Sequence, residues 1–418
     1  MIKIIEAKNF SYTHLKENNK DVSSTVREIL EDVKNNGDKA VIKYEKKFDG
    51  VELKSLEVSE SEKDEALKQT GPDFIKILER AAKNIHEFHS KQVRNGFAFS
   101  NNDGVILGQR IIPLEKVGLY IPGGTASYPS SVLMNAIPAK IAGCKEIFIA
   151  TPPAIKPEII AAAHIAGVTK IFKMGGAQAI AALAYGTESV ARVDKITGPG
   201  NIFVAEAKRQ VFGQVSIDMV AGPSEILIIA DENNNPAFIA ADMLAQAEHD
   251  KLASAILITN SKNFAEKVAD EIEIQVEKLL RRDIARASID SNGKIILVEN
   301  INDAVKISNE IAPEHLEICL DNPFEWLTEG KIKNAGSVFL GKNSPEALGD
   351  YFAGPNHTLP TMGTARFSSP LSVDDFVKKS QFIYYTRDAL NIVADDIDKF
   401  AKSEGLTGHA KSVSIRYN

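Results

Sequence analysis

From about Arg110 to Leu340 the chain alternates short apolar runs with alanine-rich stretches of helical period, and nothing else in it restricts the fold as strongly. The runs are VGLYI (117–121), EIFIA (146–150), KIFKM (170–174), KIT (195–197), EILIIA (225–230), SAILIT (254–259), KIILV (294–298) and GSVFL (336–340). Between them lie helix-like stretches such as Ala177 to Tyr185, Pro236 to His249 and Ser261 to Leu280. Strands alternating with helices imply a mostly parallel sheet covered on both faces. Two such series, near 110–230 and 230–345, predict two α/β units. In sheets of this kind ligands bind beyond the carboxyl ends of the strands. The turn-rich sequences IPGG, MGG and TGPGN follow such ends here.

The flanking segments read differently. Residues 20–95 have the period of charged, amphipathic helices, with Val22, Val26, Ile29, Leu30 and Val33 on one stripe and Ile75, Leu78, Ala81, Ala82 and Ile85 on another. Residues 341–373 are rich in Gly, Pro, Ser and Thr and show no sustained period. So long an irregular stretch inside a compact domain is usually functional or disordered, and its Asp350, Tyr351, Phe352 and His357 favour function. Residues 374–418 read as a short helix, a strand QFIYYT, a further helix and a tail. The expected organisation is an N-terminal arm (1–20), a first α/β domain from 21–110 together with 231–373, a second from 111–230 on the cofactor side, and a C-terminal arm (374–418).

Composition narrows the class of function. The chain of 418 residues carries 49 Lys and Arg against 56 Asp and Glu, a formal charge of −7, and is 44% hydrophobic. That excludes intrinsic disorder, and with no basic cluster it disfavours nucleic acid as a partner. No run approaches ~18 uninterrupted apolar residues, and the start MIKIIEAKNF lacks the pattern of a secretion signal, so no membrane span is expected. The two cysteines, Cys144 and Cys319, exclude a disulfide scaffold and point to a reducing cytoplasm. Both sit in apolar runs and read as buried rather than nucleophilic.

Four constellations could carry chemistry, and each has a bland alternative. Gln246 and His249 share a face at a helix end and could offer oxygen and nitrogen to a metal, or be polar residues in solvent. Glu314 and His315 follow Pro313, which favours a first helical turn. They would then sit exposed at a helix N-terminus, as an acid/base pair or as a carboxylate favourable to the helix dipole. Asp350, flanked by Gly349 and Tyr351 with His357 seven residues on, could bind metal or make a local turn bond. EGLTGHA (404–410), with Glu404 and His409, is either a docked turn or a frayed tail. The remaining histidines, His14, His86, His89 and His164, read as surface or packing residues.

No G-x-x-x-x-G-K-[ST] loop occurs. Gly198-Pro199-Gly200-Asn201 is the nearest approach to a dinucleotide fingerprint, and it lacks the third glycine. It could still be a tight turn offering backbone N–H groups to a phosphate. The expected units are therefore Rossmann-like but lack the full G-x-G-x-x-G fingerprint.

Taken together, GLYIPGGTASYPSSVLMNAIPA (118–139), GGAQAIAALAYGT (175–187), DKITGPGNIFVAEAK (194–208), AGPSEILIIAD (221–231), DMLAQAEHD (242–250), IAPEHLEI (311–318), GDYFAGPNHTLPT (349–361) and EGLTGHA (404–410) closely resemble the histidinol dehydrogenase family. The likeness spans roughly residues 110–410, in order. It implies a zinc-dependent, four-electron oxidation of L-histidinol, through the aldehyde, to L-histidine with two NAD, the last steps of histidine biosynthesis. By the same resemblance Gln246, His249, Asp350 and His409 hold one zinc ion per subunit. Glu314 and His315 form the acid/base pair. Ser224, Gln246, His249, Glu314, His315, Asp350, His357, Glu404 and His409 meet the substrate, and Tyr120, Gln178 and Asn201 meet NAD. The family's members are homodimers with shared sites, which would place Glu404 and His409 in the partner's site.

The chemistry is consistent with those roles. Taking an alcohol to an acid needs two hydride removals with hydration between them, and each hydride leaves as a proton leaves the carbinol. His315 is expected to take the hydroxyl proton and Glu314 to activate the hydrating water, with zinc acting mainly as a template. A zinc hydrolase and a non-catalytic paralogue are the alternatives. The absence of H-E-x-x-H counts against the first, and the intact Glu314 and His315 against the second.

Overall fold

The computed structural model describes residues 2–11, 21–101, 104–123 and 127–416, so His14 lies outside the described residues. The chain divides into two compact units, one of residues 1–92 and 115–376 and one of 93–114 and 377–418.

The first unit holds two parallel sheets. The larger has six strands in the order Lys3–Glu6, Lys294–Leu297, Ser254–Thr259, Glu225–Ala230, His315–Cys319 and Ser337–Leu340. Its central strand is buried along its whole length, and its side chains alternate between two cores. Ile226, Ile228 and Ala230 pack with the helices Pro236–Ala247 and Lys262–Val276, while Leu227 and Ile229 face the helix Ile301–Ile311. Burial on both faces explains why EILIIA and SAILIT read as continuous apolar runs. The smaller sheet has the order Lys170–Lys173, Glu146–Thr151, Lys116–Tyr120, Lys195–Thr197 and Ser216–Ile217.

The second unit is built on an antiparallel sheet, in which Val105–Pro113 pairs with both Phe97–Ser100 and Val377–Tyr385. The helices Arg387–Ser403 and Thr407–Ser414 complete it.

The segments group differently from the sequence expectation. The expected N-terminal arm supplies an edge strand, since Lys3–Glu6 pairs in parallel with Lys294–Leu297. The helix Ser23–Phe48 covers the smaller sheet rather than joining 231–373. Its Val26, Ile29, Leu30 and Val33 share a core with Phe148, Phe172 and Ile180. Periodicity shows that a helix has an apolar face but not which sheet covers it. Residues 97–113 belong to neither parallel sheet, and the irregular stretch 341–373 contains a short helix, Glu346–Tyr351.

The pair Glu314 and His315 also corrects an expectation. Ala312 ends the preceding helix in the left-handed conformation, with φ 52°. Pro313 then follows a helix instead of opening one, a position proline also favours. HLEIC becomes a strand buried at every position.

Candidate active site

The larger sheet presents its chemistry at the amino ends of its strands, opposite to the usual side. Ser224 precedes the strand Glu225–Ala230, and Glu314 and His315 open the neighbouring strand, in which His315 pairs with Ile226. The helix Pro236–Ala247 runs back from the carboxyl end of Glu225–Ala230, so Gln246 in its last turn and His249 beyond it return to the same amino edge. The helix Glu346–Tyr351 brings Glu346 and Asp350, four apart and on one face.

The hydrogen bonds fix the ring of His315. Its Nδ1 is 3.0 Å from the Glu225 carbonyl oxygen, 3.7 Å from Glu314 Oε2 and 3.8 Å from Glu346 Oε1. A carbonyl only accepts, so Nδ1 carries the proton and donates. Nε2 of His315 is buried and has no partner. Burial pulls the imidazole pKa down to about 4, which holds the ring neutral with the Nε2 lone pair available. Glu314 is buried too, accepts from the Glu225 N–H at 2.9 Å and is steadied by the Ser224 hydroxyl. Burial raises its carboxyl well above the ordinary range, and the Glu225 and Asp350 charges add to this.

His357 is oriented in the same manner. Its Nδ1 donates to the Asp350 carbonyl at 3.1 Å, so Nε2 accepts from the Ser131 hydroxyl at 3.2 Å. The loop carrying it is tied down by Asn84 Nδ2 donating to the Phe352 carbonyl at 2.8 Å and by Asn356 Nδ2 donating to the Met134 carbonyl at 2.6 Å.

A metal-ligating set converges beside the pair. Donor atoms of His249, Glu346 and Asp350 lie within 4.8 Å of one another. The Gln246 amide atom facing Glu346 Oε1 is 2.5 Å from it, and the other amide atom meets the Glu225 N–H at 2.7 Å. With the amide nitrogen turned to Glu346 and the amide oxygen to the Glu225 N–H, both contacts are satisfied. Nitrogen and oxygen donors crowded by mutually repelling carboxylates suit zinc. Glu346 is missing from the sequence expectation. The signal was its spacing of four from Asp350, hidden because the segment showed no sustained period.

The expected cofactor residues gather at the carboxyl ends of the smaller sheet, where such sheets normally bind ligands. Tyr120 ends a strand, and its hydroxyl accepts from the Gly176 N–H at 3.1 Å. Burial pushes that hydroxyl up to about 12, so it keeps a proton to donate. Gln178 lies buried in the first turn of the helix Gly176–Tyr185. Asn201 caps the helix Ile202–Val211, accepting from the Phe203 and Val204 N–H groups at 3.1 and 3.2 Å. The Gly198 N–H goes to Asp218 Oδ2 at 2.8 Å. The Gly198 N–H that the sequence offered to a phosphate is thus already taken, as are those of Phe203 and Val204 just beyond the turn.

Glu404 and His409 lie exposed in the second unit, at the end of Arg387–Ser403 and within Thr407–Ser414. The tail is helical rather than frayed, held through buried Ala401 and Ala410, whereas Leu406 is exposed. His89 is buried, as a packing residue should be, and Cys144 and Cys319 are buried and not joined in a disulfide. Among the described residues no helix is long and apolar enough to cross a membrane.

Comparison with known proteins extends the likeness beyond residues 110–410. The family model described as histidinol dehydrogenase matches residues 13–417. Histidinol dehydrogenases of Clostridium acetobutylicum and Listeria monocytogenes are each 57% identical over 96% of this chain, covering 93% and 94% of their own lengths. The crystal structure of histidinol dehydrogenase from Elizabethkingia anophelis matches with a TM-score of 0.92 at 39% identity, over 99% of this chain and 98% of that one.

Proposed function

The chain belongs to the histidinol dehydrogenase family, NAD-dependent oxidoreductases acting on an alcohol and then an aldehyde, and on that premise we propose how its residues divide the work. His315 Nε2 takes the hydroxyl proton of histidinol. The observation that carries this is the donation from Nδ1 to the Glu225 carbonyl, which leaves Nε2 buried and unpartnered. Glu314 takes a proton from the water that hydrates the aldehyde, because a carboxylate raised by burial is the stronger base. Tyr120, Gln178 and Asn201 would hold the dinucleotide, which would supply the hydride acceptor for each oxidation. Ser224, His357 and Glu404 complete the substrate contacts.

Zinc would be held by Gln246, His249, Asp350 and the His409 of a second copy, with Glu346 beside them, and would supply a template for the imidazole and amino group of histidinol. The crowding of His249, Glu346 and Asp350 supports a cation there. A homodimer with shared sites is supported by the apolar surface of the second unit, where Phe97, Phe99, Ile383 and Phe400 are 56%, 58%, 74% and 69% exposed. Apolar exposure of that kind marks an interaction surface. Two cysteines outside any disulfide fit a reducing cytoplasm.

Purified protein with histidinol and NAD should release two NADH per substrate and lose that activity to a chelator until zinc is restored. One NADH with accumulated aldehyde, or full turnover without metal, would overturn the reading. Mixing inactive His409→Ala with inactive Glu314→Gln should recover activity in heterodimers, and none would be recovered if each site is built from one chain.

A further inference from the structure

Gln178 is buried at 1% exposure, yet only one end of its amide is satisfied. Its Nε2 donates to Glu45 Oε1 at 2.9 Å, and the same oxygen accepts from the Gly175 N–H at 2.9 Å. Gln178 Oε1 has no partner. Glu45 comes from the helix Ser23–Phe48 and is itself fully buried. A Cβ on Gly176 would stand 2.8 Å from Gln178 Oε1, and Gly176 has a φ of +56° that favours glycine, so no side chain of residue 176 presses on that enclosed oxygen. A buried amide oxygen without a donor is costly and is therefore a place where a ligand is recognised.

We infer that Glu45 is a positioning residue that fixes Gln178 as a hydrogen-bond acceptor in the dinucleotide site, so that the cofactor must meet it with a hydroxyl or amide N–H donor. The reasoning is one of polarity. Both groups that approach Glu45 Oε1 are donors, so the Gln178 nitrogen is drawn to it and the oxygen is turned away from Glu45. With an apolar residue at position 45 the amide is free to rotate and to present N–H groups to a donor of the cofactor. Glu45 itself does not touch the cofactor. The inference rests on the proposed reading of Gln178 as a cofactor contact.

Steady-state kinetics of the full-length enzyme with Glu45→Met, Glu45→Gln, Gln178→Met and the double variant Glu45→Met/Gln178→Met test this. Glu45→Met should raise KM for NAD by about tenfold, the scale of one lost hydrogen bond, with KM for histidinol and kcat nearly unchanged. Glu45→Gln keeps an acceptor oxygen in place and should retain the normal KM for NAD. The double variant should resemble Gln178→Met alone. Comparing NAD with its 3-acetylpyridine analogue separates the two donor sources. A carboxamide N–H makes the analogue weaker only while Gln178 is present, whereas a ribose hydroxyl leaves the two dinucleotides parallel.

A tenfold rise in Glu45→Gln, or multiplying effects in the double variant, would overturn the inference. If Gln178→Met raises KM for NAD but neither Glu45→Met nor the analogue series responds, the inference alone falls. If Gln178→Met has no effect, the cofactor reading of Gln178 falls with it. Should Glu45→Met fail to fold, the retention expected of Glu45→Gln and the dependence of the analogue ratio on Gln178 still decide the matter.

Discussion

The Nδ1 of His315 lies 3.0 Å from the carbonyl oxygen of Glu225, on the adjacent strand. One backbone acceptor thereby sets the tautomer of the ring, because the nitrogen that faces a carbonyl must carry the proton. The lone pair is left on Nε2, the atom without a partner. Asparagine can keep the donation to the Glu225 carbonyl but offers no basic nitrogen. His315→Asn should therefore lower kcat for histidinol by about 10²–10⁴, the usual worth of a positioned base, with the fold intact by circular dichroism. Oxidation of supplied aldehyde should suffer less. Equal losses on both substrates would contradict the division of labour between His315 and Glu314.

Glu346 stands at the junction of the base and the metal-ligating set, within 4.8 Å of the donor atoms of His249 and Asp350 and 3.8 Å from His315 Nδ1. It also engages the Gln246 amide. Loss of a group that ligates or orients ligands commonly costs 10–100-fold in metal affinity. Glu346→Ala should weaken zinc binding by about that factor in a chelator competition, while NAD binding is unchanged. Normal zinc affinity would remove Glu346 from the metal centre.

Gly198 holds the turn after the strand Lys195–Thr197. Its φ is +108°, and a Cβ there would lie 2.1 Å from the Tyr120 carbonyl oxygen, a backbone atom that cannot swing aside. Its N–H and carbonyl are further held by Asp218 and by buried Lys208, whose Nζ is 2.9 Å from the Gly198 oxygen. Gly198→Ala should cost about 1–3 kcal/mol of stability in denaturant unfolding, the range for a strained backbone position. It should also raise KM for NAD more than KM for histidinol, since Tyr120 and Asn201 flank the turn. A variant with wild-type stability would mean the turn relaxes without strain.

Much of this arrangement is legible in the sequence. The eight apolar runs all became strands, because a strand buried on both faces must be apolar throughout. His249, Glu314, His315, Asp350 and His357 do gather, although no local spacing could have shown it. They sit on different elements, and only the order of strands brings them together. Three things were hidden. Pro313 carries the same weight after a helix as before one, so Glu314 and His315 read as a helix start although they open a strand. Glu346 lacked a periodic context. Glu45 looked like one more charge on an amphipathic helix, since burial of a single carboxylate on the apolar face depends on Gly175 and Gln178, more than a hundred residues away.

That burial has a consequence for stability against pH. Removal from water pushes the Glu45 carboxyl up to about 8, with the nearby Asp49 charge adding to the rise and the bonds from Gln178 and Gly175 opposing it. The folded state then binds a proton that the unfolded chain releases near its ordinary value of 4.5. A raised folded pKa stabilises fully below the unfolded value and loses that contribution as the pH climbs through the folded one. For Glu45 the loss runs from about pH 4.5 to about pH 8 and amounts to a few kcal/mol in order of magnitude. Glu225, raised to about 7, and Asp242, raised to about 6, both chiefly by burial, act in the same direction. Wild-type stability should therefore fall between pH 5 and 8.5, and Glu45→Gln, which has no proton to lose, should fall less. The gap in Tm between variant and wild type should widen steadily across that window. A gap that stays constant with pH would show that Glu45 titrates alike in the folded and unfolded chain.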